Sequence, residues 1–167
     1  IDVIEEYTRP ARMMRNGKIF TLPPLSEIIE KKYHRVGNLE AFNSDGLRSI
    51  LTTMGHIPNM LEKTLRYPGH ADLIKRELES NKIQPNNKKS LEKLFEDWKL
   101  NHGEKEFTIL DIKIECELEN YNYLLYDQTD DLTSISSMAR TTGYTATATV
   151  NFLLEKRYNQ YGVFPPE

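Results

Sequence analysis

Leu110-Asp111-Ile112-Lys113-Ile114-Glu115-Cys116-Glu117-Leu118 alternates apolar and polar residues without a break. A period of two held over nine residues marks a β-strand with one dry face and one wet face. Glu119–Asn122 reads as a turn, and Tyr123–Tyr126 returns as the partner strand. So short a connection makes an antiparallel hairpin, because parallel neighbours need a crossover of about a dozen residues or more. The expected fold is therefore built on antiparallel sheet, with the flanking segments supplying helices to cover it.

Downstream, Thr133–Arg157 reads as one long helix capped by Thr133 or Ser134. Its Ala and Thr content and Gly143 predict close packing against the sheet, because a mid-helix glycine usually marks a close backbone approach. Gly162–Pro166 leaves as an extended tail. Upstream, Ser90 is placed to cap a helix to Leu100, with Leu91, Leu94, Phe95 and Trp98 as its apolar stripe. Polar connectors flank it, at Asn81–Lys89 and Asn101–Glu106. A charged amphipathic helix covers about His70–Ser80. It follows a strand over Met60–Tyr67, which ends at Pro68-Gly69 and sets Leu61, Leu65 and Tyr67 against Glu62, Thr64 and Arg66. Asp45 is placed to cap a helix over Gly46–Gly55, and Glu27–Phe42 is extended with a break at Gly37. Ile1–Pro24 reads as short extended pieces around an Asn16-Gly17 hairpin turn, both residues of which tolerate positive φ. The sum is α+β: a mixed, largely antiparallel sheet with helices packed on one face.

The 167 residues fit one domain and carry a net charge of −3. That balance gives no electrostatic reason to expect nucleic acid as a partner. No apolar run approaches the roughly 20 residues a membrane span needs. Cys116 is the single cysteine, so no internal disulfide forms and a reducing cytoplasm is the expected compartment. His-x-x-x-His and Cys-x-x-Cys spacings are absent, so no catalytic metal is expected.

Arg66 sits on the polar phase of its strand at the point where the chain turns. A guanidinium there can hold a carboxylate through two parallel hydrogen bonds. On residue type alone the plainer reading is a salt bridge within the chain. His70, next to that turn, has the pKa range of a proton carrier near neutrality, or is simply an exposed residue at a helix start. Asn43-Ser44-Asp45-Gly46 reads as a strand-to-helix turn, and Arg140 as a second cation beside Gly143.

Four phrases in order carry a resemblance: Glu5–Ala11 (EEYTRPA) with Asn16-Gly17-Lys18, Leu39–Leu51 (LEAFNSDGLRSIL), Lys63–Ala71 (KTLRYPGHA) and Met138–Glu155 (MARTTGYTATATVNFLLE). Together they resemble the C-terminal, substrate-side half of the saccharopine dehydrogenase/lysine 6-dehydrogenase family. The resemblance covers nearly the whole chain as one domain, 1–167, with a variable helical insertion at about 81–106. It implies a fold like the C-terminal domain of glyceraldehyde-3-phosphate dehydrogenase. It also implies an oxidoreductase that removes hydride from an amine C–N bond of an amino acid, with NAD or NADP held mainly by a separate Rossmann half. No glycine-rich dinucleotide loop stands in this sequence, so that half is expected outside these residues and the chain alone is expected to be inactive. By the same resemblance Arg66 is the substrate carboxylate clamp, Tyr67, Asn43 and Asp45 shape the pocket, His70 is a proton carrier, and Arg140 is a second anion contact. A homodimer is expected as well. Ser44 stands where the glutamate-joining reductases carry Arg, which favours the lysine 6-dehydrogenase-like branch. The competing reading is a non-catalytic ligand-binding or dimerisation module.

Overall fold

Gly37–Asn43 is buried from Leu39 onward, on both faces, as befits a strand with neighbours on each side and layers above and below. In this computed structural model it is β4, the centre of a three-stranded antiparallel sheet in the order β3-β4-β5, with β3 at Ile29–Tyr33 and β5 at Lys63–Arg66. The structure describes residues 2–101, 103–158, 161–163 and 165. Ile1, and Phe164 and Pro166 of the expected tail, lie outside them. Two compact units are present, 1–99 with 165–167 and 100–164.

The first unit opens with α1 (Asp2–Thr8), where the sequence reading expected an extended piece. Ile4 and Tyr7, three apart and therefore on one face of a helix, are both buried. That tertiary burial outweighs the β-branched residues at the start of the chain. The hairpin of β1 (Ala11–Arg15) and β2 (Lys18–Leu22) turns at Asn16-Gly17, with φ of 50° and 71°, the left-handed pair a two-residue hairpin requires. A short α2 (Ile50–Thr53) follows β4, then β5, α3 (His70–Glu79) and α4 (Lys88–Trp98).

Two expected caps are replaced. Asp45 does not cap the segment after it: its carboxylate takes Arg12, and α2 begins only at Ile50, with Ser49 at the cap position making no side-chain cap bond. Asn87, not Ser90, caps α4, accepting from Lys89 N at 3.0 Å and Ser90 N at 3.3 Å. Ser90 Oγ instead accepts from Gln84 N and donates to Lys82 O, closing the loop before the helix. The core joins Ile4, Tyr7, Leu25, Phe42, Ala71, Ile74 and Ile83, with Leu91 and Leu94 of α4 packed against it.

The second unit is the hairpin of β6 (Phe107–Glu115) and β7 (Asn120–Gln128) followed by α5 (Ser137–Leu154). The apolar residues of the alternation share one face, but that face is not dry: Leu110, Ile112 and Ile114 are 52%, 39% and 45% exposed. The strand ends at Glu115, so the turn falls at Cys116–Glu119 instead of Glu119–Asn122, and the partner strand is longer than Tyr123–Tyr126. The helix starts later than expected because Asp130–Ile135 closes on itself. Ser134 is left-handed at φ 58°, and Asp130 Oδ2 accepts from Thr133 N at 3.0 Å. Ser136 is the cap, accepting from Ala139 N. The close approach expected at Gly143 is absent, since nothing stands within 4 Å of where its Cβ would lie. The threonines of α5 turn back on their own helix, Thr141 to Ser137 O at 2.9 Å and Thr145 to Thr141 O at 2.8 Å. Every described pairing between these strands is antiparallel, and the α+β class stands.

Candidate functional site

Glu40 is a charge inside an otherwise apolar run of β4, and it is buried. Its two oxygens face the start of α3, accepting from Gly69 N at 2.8 Å and Ala71 N at 2.5 Å. A carboxylate on the first amides of a helix satisfies orphan donors and meets the positive end of the dipole. Gly69 at φ 89° supplies the left-handed step that turns β5 into α3 with no Cβ penalty. The consequence is positional: Arg66 at the end of β5 and His70 at the start of α3 are held on either side of one turn.

Both line a cavity of about 580 Å³ in the first unit. Its apolar wall includes Ile4 of α1 and Leu91, Leu94, Phe95 and Trp98 of α4. Tyr7 stands between the two polar residues. Its hydroxyl accepts from Arg66 Nε at 3.3 Å and shares a hydrogen bond with His70 Nε2 at 3.1 Å. The Tyr7 ring lies 5.4 Å from the His70 ring and 6.1 Å from that of Trp98. Arg66 Nη2 also donates to Glu6 Oε2 at 2.6 Å, and Nη1 to Leu65 O at 2.8 Å.

Burial dominates the protonation behaviour here. It pushes His70 below its ordinary value, and the Arg66 charge adds to that while Glu40 opposes it. It pushes the Tyr7 hydroxyl up against the pull of Arg66, and does the same to Glu6. The imidazole is therefore kept neutral at neutral pH, hydrogen-bonded through a tyrosine to a permanent cation.

The remaining residues singled out in the sequence are placed elsewhere. Asn43 is fully buried, donating to Ser26 Oγ at 3.0 Å and Glu27 Oε2 at 3.1 Å and accepting from Lys63 Nζ at 2.6 Å. Asp45 is buried against Arg12 through both oxygens, 2.9 Å each. Tyr67 is exposed. Ser44 is buried, donating to Glu62 at 2.6 Å. Arg140 belongs to the second unit, where its guanidinium meets Asp127 at 3.2–3.3 Å and lies over the Tyr144 ring. Arg66 and His70 are thus brought together, and Asn43, Tyr67 and Asp45 do not line their cavity.

Tyr7 and Trp98 are cavity residues to which the sequence reading gave no role at the site, and Glu6, outside the lining, meets it only through Arg66. Tyr7 and Glu6 sit inside the EEYTRPA phrase, and Trp98 on the α4 stripe, but nothing local says that either segment meets Arg66.

The implied dinucleotide can be tested against the helix ends, where a pyrophosphate would bind backbone amides. At α3 Glu40 already holds Gly69 N and Ala71 N. At α4 Asn87 holds Lys89 N and Ser90 N, and at α5 Glu106 and Ser136 hold Met138 N and Ala139 N. These residues do not fit the phosphates of NAD(P). Among the described residues no group of three or more His, Cys, Asp or Glu is placed to share a metal, and no helix is long and apolar enough to cross a membrane.

The family model described as Saccharopine dehydrogenase C-terminal domain matches residues 1–167, the full length of the chain.

Proposed function

The chain belongs to the saccharopine dehydrogenase family, as its C-terminal domain, and from that premise we propose that it is the substrate-binding and dimerisation half of an NAD(P)-dependent amino-acid oxidoreductase acting at an amine C–N bond. The observation that carries the reading is Arg66 at the polar end of an apolar cavity, beside His70 and Tyr7. An amino acid always brings a carboxylate, and a guanidinium at the end of an apolar slot is a fitting receptor for one. The substrate carboxylate meets Arg66, and its aliphatic part lies on the α4 wall. His70, neutral and tied to Tyr7, is placed to move a proton at the polar end. The dinucleotide is supplied from outside these residues.

For dimerisation, the support is the exposed apolar face of the β6–β7 hairpin. Leu110, Ile112 and Ile114 pair with Leu125, Tyr123 and Tyr121, and all of them are 39–56% exposed. A patch on the order of 500 Å² is within the range of the largest patch on a typical monomer, which is often functional, and it is a suitable centre for an interface of about 800 Å² per partner. A second copy is the occupant proposed.

In the holoenzyme, Arg66→Ala is expected to raise KM for the amino acid about 100-fold, the loss of a charge-assisted contact of about 3 kcal/mol. An unchanged kcat/KM removes Arg66 from the site. The rival reading, a non-catalytic module, is favoured if no Gly-x-Gly-x-x-Gly strand–turn–helix occurs in the same polypeptide.

A further inference from the structure

The Tyr7 hydroxyl stands in a chain of three polar groups whose direction is fixed at one end. Arg66 Nε can only donate, and it lies 3.3 Å from the Tyr7 oxygen, which therefore accepts. The hydroxyl also carries a proton of its own, and His70 Nε2 is 3.1 Å away. Among the described residues Tyr7 has no other hydrogen-bond partner. At 2% exposure it leaves solvent little access to that proton. Its ring is packed against those of Phe42, His70 and Trp98, at 6.1, 5.4 and 6.1 Å, so the hydroxyl is held where it stands. A buried donor left without an acceptor bears the whole cost of its desolvation. His70 Nε2 is the acceptor within reach. A neutral imidazole that accepts at Nε2 carries its proton on Nδ1.

We propose that Tyr7 is a positioning residue: its hydroxyl, held by Arg66, donates to Nε2 of His70 and fixes the ring as the Nδ1–H tautomer. The part this plays in turnover rests on the reading of the cavity as the substrate site. With Nε2 occupied, Nδ1 is the nitrogen left for a ligand, and it presents a proton rather than a lone pair. His70 thus meets a ligand first as a hydrogen-bond donor. Nδ1 becomes a base only if the order reverses, with Nε2–H donating to the Tyr7 oxygen and the Tyr7 proton stranded. Full protonation of the ring meets the same obstacle and sets a second cation beside Arg66. The charged groups around the ring are Arg66 on β5, Glu40 on β4, Glu6 paired with Arg66 from α1, and Lys99 after α4. Glu40 favours a charged ring, but its oxygens are given to Gly69 N and Ala71 N, and burial together with Arg66 outweighs it.

Long-range proton–nitrogen correlation NMR on the full chain, with isotope-labelled histidine, reads the tautomer directly, because a protonated ring nitrogen and a bare one resonate far apart. Above neutral pH His70 is expected as Nδ1–H, its signals assigned by their loss in His70→Gln. Tyr7→Phe keeps the ring in the core and removes the hydroxyl. In that variant Nε2–H should become the major tautomer, and the pH midpoint of His70 should move up toward that of an ordinary histidine. Arg66→Met removes the obligatory donor and leaves Tyr7 intact, so both tautomers should be present. Arg66 is 34% exposed, and this variant serves if Tyr7→Phe does not fold by circular dichroism. Nε2–H as the major form of the unaltered chain overturns the proposal. So does an Nδ1–H tautomer that persists unchanged in the folded variants. Either result leaves the substrate reading of the cavity standing, since the Arg66→Ala kinetics test that separately.

Discussion

Asp45 joins two parts of the chain that are 33 positions apart in sequence, through Arg12, with Arg9 3.8 Å away. Burial works to raise its carboxyl, but the hydrogen bonds and charge of Arg12, helped by Arg9, outweigh it and hold the group below the ordinary value of 3.8. A carboxylate whose folded pKa is depressed contributes stability that is complete above its unfolded value and is lost as pH falls through the folded one. Asp45→Asn is therefore expected to cost about 2 kcal/mol at pH 7, the size of a charge-assisted hydrogen bond. The gap from the unaltered chain should close as pH falls below 3.8. Urea unfolding at pH 7 and pH 3 measures both; a pH-independent gap refutes the assignment. His70 has the opposite charge type but the same direction of consequence. Its depressed folded value means that the unfolded chain takes up the proton first, so acid below 6.5 also weakens the fold through His70.

The unit of design at the level of elements is the β4–β5–α3 path. Central β4 carries Glu40 into the interior, β5 lies antiparallel to it with Glu40 opposite Arg66, and Glu40 then holds the first amides of α3. One buried side chain thereby sets the angle at which α3 leaves the sheet, and with it the separation of Arg66 and His70. Glu40→Ala strands two amide donors and is expected to destabilise the first unit by about 3 kcal/mol. Amide exchange at Gly69 and Ala71 should accelerate well beyond that of β6 and β7. Uniform acceleration in both units is the result that sinks a local role. Glu40→Gln, which keeps one acceptor, should recover part of the loss.

At the scale of the molecule, the two units differ in how they are stabilised. The first has a core in which β4, α1 and α3 meet. The second has a two-stranded sheet whose apolar face stays exposed, and such a hairpin is marginal without a further layer. Ile112→Glu puts a charge in the middle of that face. It is expected to weaken self-association about 100-fold or more, because a desolvated, unpaired carboxylate costs several kcal/mol. Light scattering behind size exclusion reads the mass directly. A dimer that survives both Ile112→Glu and Tyr123→Asp is not held by this face.

The fold class was legible because periodicity is local: the alternation from Leu110 to Glu115, the Asn16-Gly17 turn and the apolar stripe of α4 each need only neighbours in sequence to be read, although the alternation ran on through Leu118 where the chain already turns. Caps and helix starts were less so. Asp45, Ser90 and Thr133 are each competent caps by type, and each was claimed by a different partner once the chain closed. The candidate site divides in the same way. Arg66 and His70 were singled out by the resemblance of the KTLRYPGHA phrase, since chemistry alone favoured a salt bridge within the chain for Arg66, whereas Tyr7 and Trp98 joined the cavity only when α1 and α4 packed beside that turn. By itself the sequence determined the antiparallel α+β framework and which cation to examine. Only the tertiary structure decided which carboxylate that cation holds, because an ion pair across 60 positions of sequence is fixed by packing and leaves no local pattern.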